Sequence, residues 1–199
     1  MGEEGMSAAT DMTLADCTRA RQLERLETSG AVWDIAVIGG GATGVGVAVD
    51  AAARGYRVVL LEQHDFGKGT SSRSTKLIHG GLRYLQQGRI RLVREALRER
   101  GRLCRNASHL VHPLLTIVPL YAAWEGPYYG FGVKLYDWLS GRHSLGASKR
   151  LAAREALELI PTLEPRGLRG GVAYYDAAFD DARLLVNLVQ TCIGLAASA

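Results

Sequence analysis

The chain has 199 residues, of which 47% are hydrophobic and 22% charged, with a formal net charge of +4. That suffices for one globular domain and part of another. No apolar run reaches the ~20 residues a bilayer-spanning helix needs, and no charged-then-apolar leader is read at the start. Cys17, Cys104 and Cys192 are scattered and odd in number, which excludes a disulfide scaffold and points to a reduced, cytosolic setting.

Residues 1–30 read as an amino-terminal extension. Met1 to Asp11 is small and polar and is expected to be disordered. Thr13 to Asp16 resembles a capping box, opening a short helix to about Glu27.

The organising stretch runs from Trp33 to Glu62. Ile35, Val37 and Ile38 form a β-branched run with the character of a buried parallel strand. Gly39, Gly41 and Gly44 follow as G-x-G-x-x-G. The first glycine permits the turn, the second a close approach of backbone to a pyrophosphate, and the third close packing of helix on sheet. A helix from about Ala42 turns its free N–H groups and positive dipole end toward phosphate, and Gly55 ends it at C′. Arg57–Leu61 reads as the next strand, with Glu62 at its end placed for a ribose hydroxyl. The unit specifies an adenine dinucleotide and, by itself, does not separate FAD from NAD.

The net charge is unevenly spread. From Phe66 to Arg105, eleven lysines and arginines stand against Glu95 and Glu99. Three anionic neighbours fit: cofactor phosphates, a phosphorylated substrate or an acidic membrane surface. A solvated helix face accounts for about half of these arginines. The loop after Glu62 is polar and glycine-rich. Thr70, Ser71, Ser72, Ser74 and Thr75 offer hydroxyls to phosphate oxygens, Lys76 adds charge, and Gly80-Gly81 lets backbone approach a flat ring.

Two stretches together carry a family likeness: Ile38 to Gly55, and Thr70-Ser-Ser-Arg-Ser-Thr-Lys-Leu-Ile-His-Gly-Gly-Leu-Arg-Tyr-Leu85. They resemble the FAD-dependent glycerol-3-phosphate dehydrogenases, above all the bacterial aerobic, respiratory branch. The likeness continues through Leu92–Leu97, His109–Pro113, Leu135–Asp137 and Gly170–Asp176 to Asp180-Asp-Ala-Arg-Leu184.

Gly88 to about Ala107 reads as a helix with Ile90, Val93, Leu97 and Cys104 on one stripe, joined by Leu92, Ala96 and Leu103. Arg89, Arg91, Arg94, Arg98, Arg102 and Arg105 lie elsewhere on it. Core packing with a basic exterior is preferred to a membrane-surface helix, and Gly101 weakens it locally. His109 and His112 form H-x-x-H without further ligands at suitable spacing, so no metal is expected. Leu114–Tyr121 reads as a strand limited by Pro119. Tyr128, Tyr129, Phe131, Tyr136 and Trp138 lie within Pro127–Leu139, which is read either as core or as an interfacial helix dipping into lipid. Ser148 is the expected cap of a helix to Ile160. Arg169–Tyr175 reads as a strand, and Asp180 or Asp181 as the cap of the last helix. Asp176, Asp180 and Asp181 are assigned capping and strand-end roles rather than metal binding. Neither G-x-S-x-G nor G-x-x-x-x-G-K-[ST] occurs, which leaves hydrolase and kinase readings without support.

The expected fold is α/β: a Rossmann-like FAD-binding domain over 31–112 with an incomplete parallel sheet, then the start of a mixed-sheet substrate domain over 113–199. The resemblance implies FAD as cofactor and oxidation of sn-glycerol 3-phosphate to dihydroxyacetone phosphate, with electrons passing to quinone. It places Gly39, Gly40, Gly41, Ala42, Thr43, Gly44, Glu62 and Gln63 at the ADP half. Thr70, Ser71, Ser72, Thr75, Lys76, Leu77, His79, Gly80 and Gly81 would run along the pyrophosphate and flavin. Arg83 would grip the substrate phosphate or polarise its oxygens, Tyr84 would hydrogen-bond the substrate, and His79 would act as a positioning residue beside the flavin, in preference to a general base. A peripheral site on the cytoplasmic face of the inner membrane is expected, with no nucleic-acid partner and a homodimer compatible. Family members are longer, so the chain reads as an amino-terminal portion expected to bind FAD poorly on its own. Another FAD-dependent amine or hydroxy-acid oxidase and a non-catalytic nucleotide-binding fragment are the alternatives.

Overall fold

The computed structural model describes residues 18–28, 30 and 32–197. They form two compact units. One is 75–180, and the other draws its described residues from 18–74 and 181–197. The division therefore differs from the boundary expected after residue 112, for reasons visible in each unit.

In the first unit, β1 (Ile35–Ile38) runs parallel to β2 (Val58–Leu61), with Ile35 opposite Val58 and Ile38 opposite Leu61. Between them in the chain lies α2 (Ala42–Ala53), which buries Val45, Ala48, Ala51 and Ala52. The helix ends in a Schellman motif. Gly55 adopts φ +82°, its N–H bonds the Ala52 carbonyl, and Tyr56 N–H reaches back to Ala51, so the last carbonyls are satisfied without a side chain. The final helix of the chain, α7 (Asp181–Ala197), packs against α2, which returns the carboxy-terminal residues to this unit. A separate helix, α1 (Arg19–Thr28), buries no residue; its expected cap at Thr13–Asp16 lies outside the described residues.

One expectation fails in this unit. β1 was expected to be buried, but Ile38 is 88% exposed, while Val37 is buried. Successive strand residues face opposite sides. α2 covers one face of this two-stranded sheet, and the side chains of Ala36 and Ile38 fall on the open one.

The second unit is built on β6 (Gly170–Phe179), a strand buried along most of its length. β4 (Val111–Leu120) pairs antiparallel with all ten of its residues, and β3 (Leu77–Ile78) and β5 (Lys149–Leu151) pair antiparallel with its two ends. Because β3 bonds to β6, the segment after Ser74 belongs here. α3 (Leu82–Gln86), α4 (Ile90–Asn106) and α5 (Glu125–Ser140) pack together, with α4 and α5 over the sheet. Val93, Leu97, Val133, Tyr136, Leu120, Val172 and Tyr174 make the core between them. A smaller cluster seats Ala156 of α6 (Ala153–Leu159) on Leu151 and Ala173.

Several local expectations are corrected. β4 starts at Val111 and pairs through both Pro113 and Pro119. It lies at the sheet edge, where a missing N–H costs no ladder bond. α4 buries Val93, Leu97, Arg100 and Gly101, whereas Ile90 and Leu92 are exposed. Gly101 makes room for His143, whose Cβ would lie 2.7 Å from an added Cβ. Ser148 does not cap α6: β5 intervenes, and Glu155 Oε2 accepts the N–H of Ala152 at 2.7 Å instead. No helix among the described residues is long and apolar enough to cross a membrane.

Candidate functional site

The glycine turn of the first unit is a cradle made by missing side chains. Gly39 leaves β1 at φ +110°, which no L side chain adopts at ease. A Cβ on Gly44 would run into the Gly39 carbonyl oxygen. A Cβ on Gly40 would meet Phe66 Cδ1 at 2.6 Å and Glu62 Cβ at 2.9 Å. Gly41 is the N-cap of α2 and has no side chain to cap it; Ser71 Oγ takes the Ala42 N–H, and the rest of the first turn keeps its positive dipole end for an external anion. This bare turn fits the diphosphate of a dinucleotide.

Glu62 ends β2 as expected, and the structure adds what holds it. Gly40 N–H donates to its Oε2 at 2.7 Å and His64 N–H to its Oε1 at 2.9 Å. The His64 and Gly40 amides keep this carboxyl below the usual carboxylate range. Each oxygen retains a second lone pair for a ribose hydroxyl. Gln63 follows on the surface.

Thr70–Ser72 forms a single 3-10 turn. Ser71 Oγ accepts the N–H of Ala42 at 2.9 Å, so this hydroxyl binds the helix start itself and has its own proton left to donate. Ala42 and Thr43 are exposed in the first turn of α2. Ser74 donates through both its N–H and Oγ to Asp181 Oδ2, at 3.0 and 2.7 Å. Asp181 therefore ties the loop to the start of α7 as well as bonding the Ala182 N–H.

The second unit carries the remaining residues. Thr75 is exposed. Lys76 stands at φ +61°, a strained conformation of about 1–3 kcal/mol for a residue with a Cβ. Its carbonyl accepts Phe179 N–H at 3.0 Å. Gly80 and Gly81 were expected to admit a ring system. At Gly80 the absent Cβ instead makes room for Leu97 and the Tyr136 hydroxyl of this same unit. At Gly81 the cause is a left-handed backbone, φ +73°, that starts α3. A cavity of about 540 Å³ is lined by His79, Gly81, Arg83, Tyr84, Thr116, Tyr174 and Asp176, with Leu77, Leu82 and Gln87 completing the wall. The structure thus brings His79, Arg83 and Tyr84 to one cavity.

Behind that cavity lies a group of residues whose roles the sequence reading missed. Arg100, 1% exposed, donates through Nη1 to Asp176 Oδ1 and to the Tyr175 carbonyl, each at 2.8 Å. Tyr136 donates its hydroxyl to the same Oδ1 at 2.6 Å and accepts Gly80 N–H at 2.8 Å. Burial and the Asp176 charge push the Tyr136 hydroxyl far above the usual phenol range, and the same two causes push Tyr174 up to about 12. Both are neutral donors at any physiological pH. Arg100 escaped notice because it sits among five exposed arginines of one helix, and composition does not tell a buried guanidinium from a solvated one. Its position, three residues after Leu97 and seven after Val93, was the available signal.

Among the described residues, His109 and His112 belong to no group of three or more His, Cys, Asp and Glu side chains placed to share a metal ion.

Comparison with known proteins agrees with this geometry. The family model described as FAD dependent oxidoreductase matches residues 34–198. A mitochondrial glycerol-3-phosphate dehydrogenase of Rattus norvegicus is 46% identical over 181 residues, covering 87% of this chain and 25% of the relative. One from Arabidopsis thaliana is 49% identical over 169 residues, covering 79% and 27%. The solved glycerol-3-phosphate dehydrogenase of Bacillus halodurans, complexed with FAD, superposes with a TM-score of 0.62 at 31% identity, covering 88% of this chain and 27% of that one. The chain therefore spans about a quarter of the length of the relatives it matches. The match extends from the start of β1 through the bare glycine turn and the arginine-bearing cavity into α7. On that ground the chain belongs to the FAD-dependent oxidoreductase family.

Proposed function

We propose that this chain supplies the diphosphate cradle and the arginine-bearing side of the substrate site of an FAD-dependent glycerol-3-phosphate dehydrogenase. The observation that carries this reading is the convergence of Arg83, Tyr84 and His79 on one cavity of the second unit, in a chain whose relatives act under that name. FAD, when bound, supplies the acceptor for the hydride that leaves C2 of sn-glycerol 3-phosphate. In the first unit, the turn from Gly39 to Gly44 would let the diphosphate approach a backbone kept clear by its glycines, and Glu62 would offer its remaining lone pairs to a ribose. Arg83 would hold the substrate phosphate by two parallel N–H donors, a geometry that a lysine does not reproduce. Tyr84 would donate to a substrate oxygen, and His79 would fix the orientation of the alcohol. The product is dihydroxyacetone phosphate, and a quinone is the onward acceptor.

Contact with a membrane surface at its cytoplasmic face belongs to the same proposal. Trp124, Tyr128, Phe131 and Trp138 recur on one side of α5 and are exposed, Phe131 at 73% and Trp138 at 76%. Aromatic side chains on one helical face suit the lipid headgroup boundary.

The test is anaerobic mixing of the FAD-loaded protein with substrate. Bleaching of the flavin by sn-glycerol 3-phosphate, but not by amino acids or unphosphorylated 2-hydroxy acids, supports the reading. Arg83→Lys should raise KM by ~10- to 100-fold if the bidentate grip is lost. Bleaching by an amino acid or an unphosphorylated 2-hydroxy acid alone overturns the reading.

A further inference from the structure

Asp176 is the one carboxylate on the cavity wall, and its two oxygens are used differently. Oδ1 receives Tyr136 Oη at 2.6 Å, Arg100 Nη1 at 2.8 Å and, at 3.4 Å, Gly80 N–H. Oδ2 receives no hydrogen bond from any described residue. The buried side-chain atoms that lack a partner among the described residues are Arg100 Nε and Ser148 Oγ. Oδ2 is not one of them, so it reaches the cavity that Asp176 lines.

The surroundings make this oxygen a fixed acceptor. Asp176 is 5% exposed and sits in the middle of the ladder between β4 and β6, opposite Leu114. Arg100, braced by the Tyr175 carbonyl, compensates the charge from behind. A buried carboxylate with its cation on one oxygen and a cavity before the other accepts a hydrogen bond strongly, because little water competes. Arg83 on the same wall supplies the opposite sign. The cavity is thus bipolar, suited to a molecule with an anionic group at one end and a hydroxyl donor elsewhere.

We infer that Asp176 is a substrate-positioning residue, whose Oδ2 accepts the hydrogen bond of the hydroxyl on the carbon to be oxidised. This rests on the proposed dehydrogenase reading. It also gives the site a preference. An alcohol has a proton to donate to Oδ2, whereas the ketone product has only lone pairs to set against it, so the carboxylate holds substrate and repels product.

The test measures equilibrium binding, not turnover, in the FAD-loaded protein with three ligands: sn-glycerol 3-phosphate, dihydroxyacetone phosphate and 3-hydroxypropyl phosphate, which lacks the 2-hydroxyl. The wild type should bind the alcohol about 10- to 100-fold more tightly than either of the others. Asp176→Asn keeps an oxygen for Tyr136 and Arg100 and turns an amide N–H toward the cavity. The variant should therefore shift the ratio of ketone to alcohol affinity by at least about tenfold toward the ketone. A merely structural role weakens both ligands together and leaves the ratio unchanged, which overturns the inference. Tyr174→Phe should keep the wild-type ratio; loss of the preference there would assign it to the phenol and sink the role of Asp176. If Asp176→Asn does not fold, a wild type without preference for the alcohol still overturns it. A wild type that binds none of the three refutes the dehydrogenase reading itself, and the inference falls with it.

Discussion

Replacing Arg100 by methionine removes a cation from a place water does not reach. The guanidinium is 1% exposed and its partner Asp176 is 5% exposed. Its Nη1 meets the Asp176 carboxylate at 2.8 Å, and the Tyr175 carbonyl lies at the same distance. Methionine fills a similar volume, so the change is electrical rather than a cavity. Stripping one partner from a buried ion pair leaves the other charge uncompensated, at a cost of about 3–5 kcal/mol. Against a total of about 5–15 kcal/mol for a typical domain, that is severe. The double variant Arg100→Met/Asp176→Asn removes both charges and should recover part of the loss, because no bare carboxylate remains. Amide hydrogen exchange of β6 reads the second unit directly, since a single unfolding midpoint is ill-defined for a chain of two units. A single variant that costs less than about 1 kcal/mol, or a double variant at the plain sum of its parts, would show that the pair is solvated and the reasoning wrong.

Gly44→Ala drives a Cβ into the Gly39 carbonyl. α2 must lift off β1, at about 1–3 kcal/mol, and the protein should purify with less flavin by its visible absorbance. Flavin retention should also depend on acid. Backbone donors depress the Glu62 carboxyl below its usual value, so its hydrogen bonds contribute fully above the unfolded pKa of about 4.3 and are lost as pH falls through the lower folded value. Titrating released flavin downward from pH 6 should show this step, and Glu62→Gln should lack it. Finally, the double variant Phe131→Ser/Trp138→Ser should release the protein from anionic lipid vesicles in a sedimentation assay. It should leave amide exchange of β6 unchanged, since both rings are exposed.

The sequence alone determined the dinucleotide unit. β1, the glycine turn, α2 and its Gly55 stop, β2 and the terminal Glu62 each depend on backbone conformations or periodicities that a few adjacent residues dictate. The run from Thr70 to Leu85 carried the family likeness, and the family model matches across it. Tertiary structure decided what neighbours do across long separations. Arg100 and Asp176 are 76 residues apart, and the spacing from Val93 and Leu97 that puts Arg100 on the inner face of its helix does not name the carboxylate it meets there. The pairing of β3 with β6, which moved the boundary to residue 75, joins residues about a hundred positions apart. The tie of Ser74 to Asp181 spans 107. Local propensity fixes which elements form, because its causes lie within a turn of helix or a pair of strand residues. Burial, charge compensation and the open face beside Ile38 depend on which elements meet, and that is settled only when the chain has closed on itself.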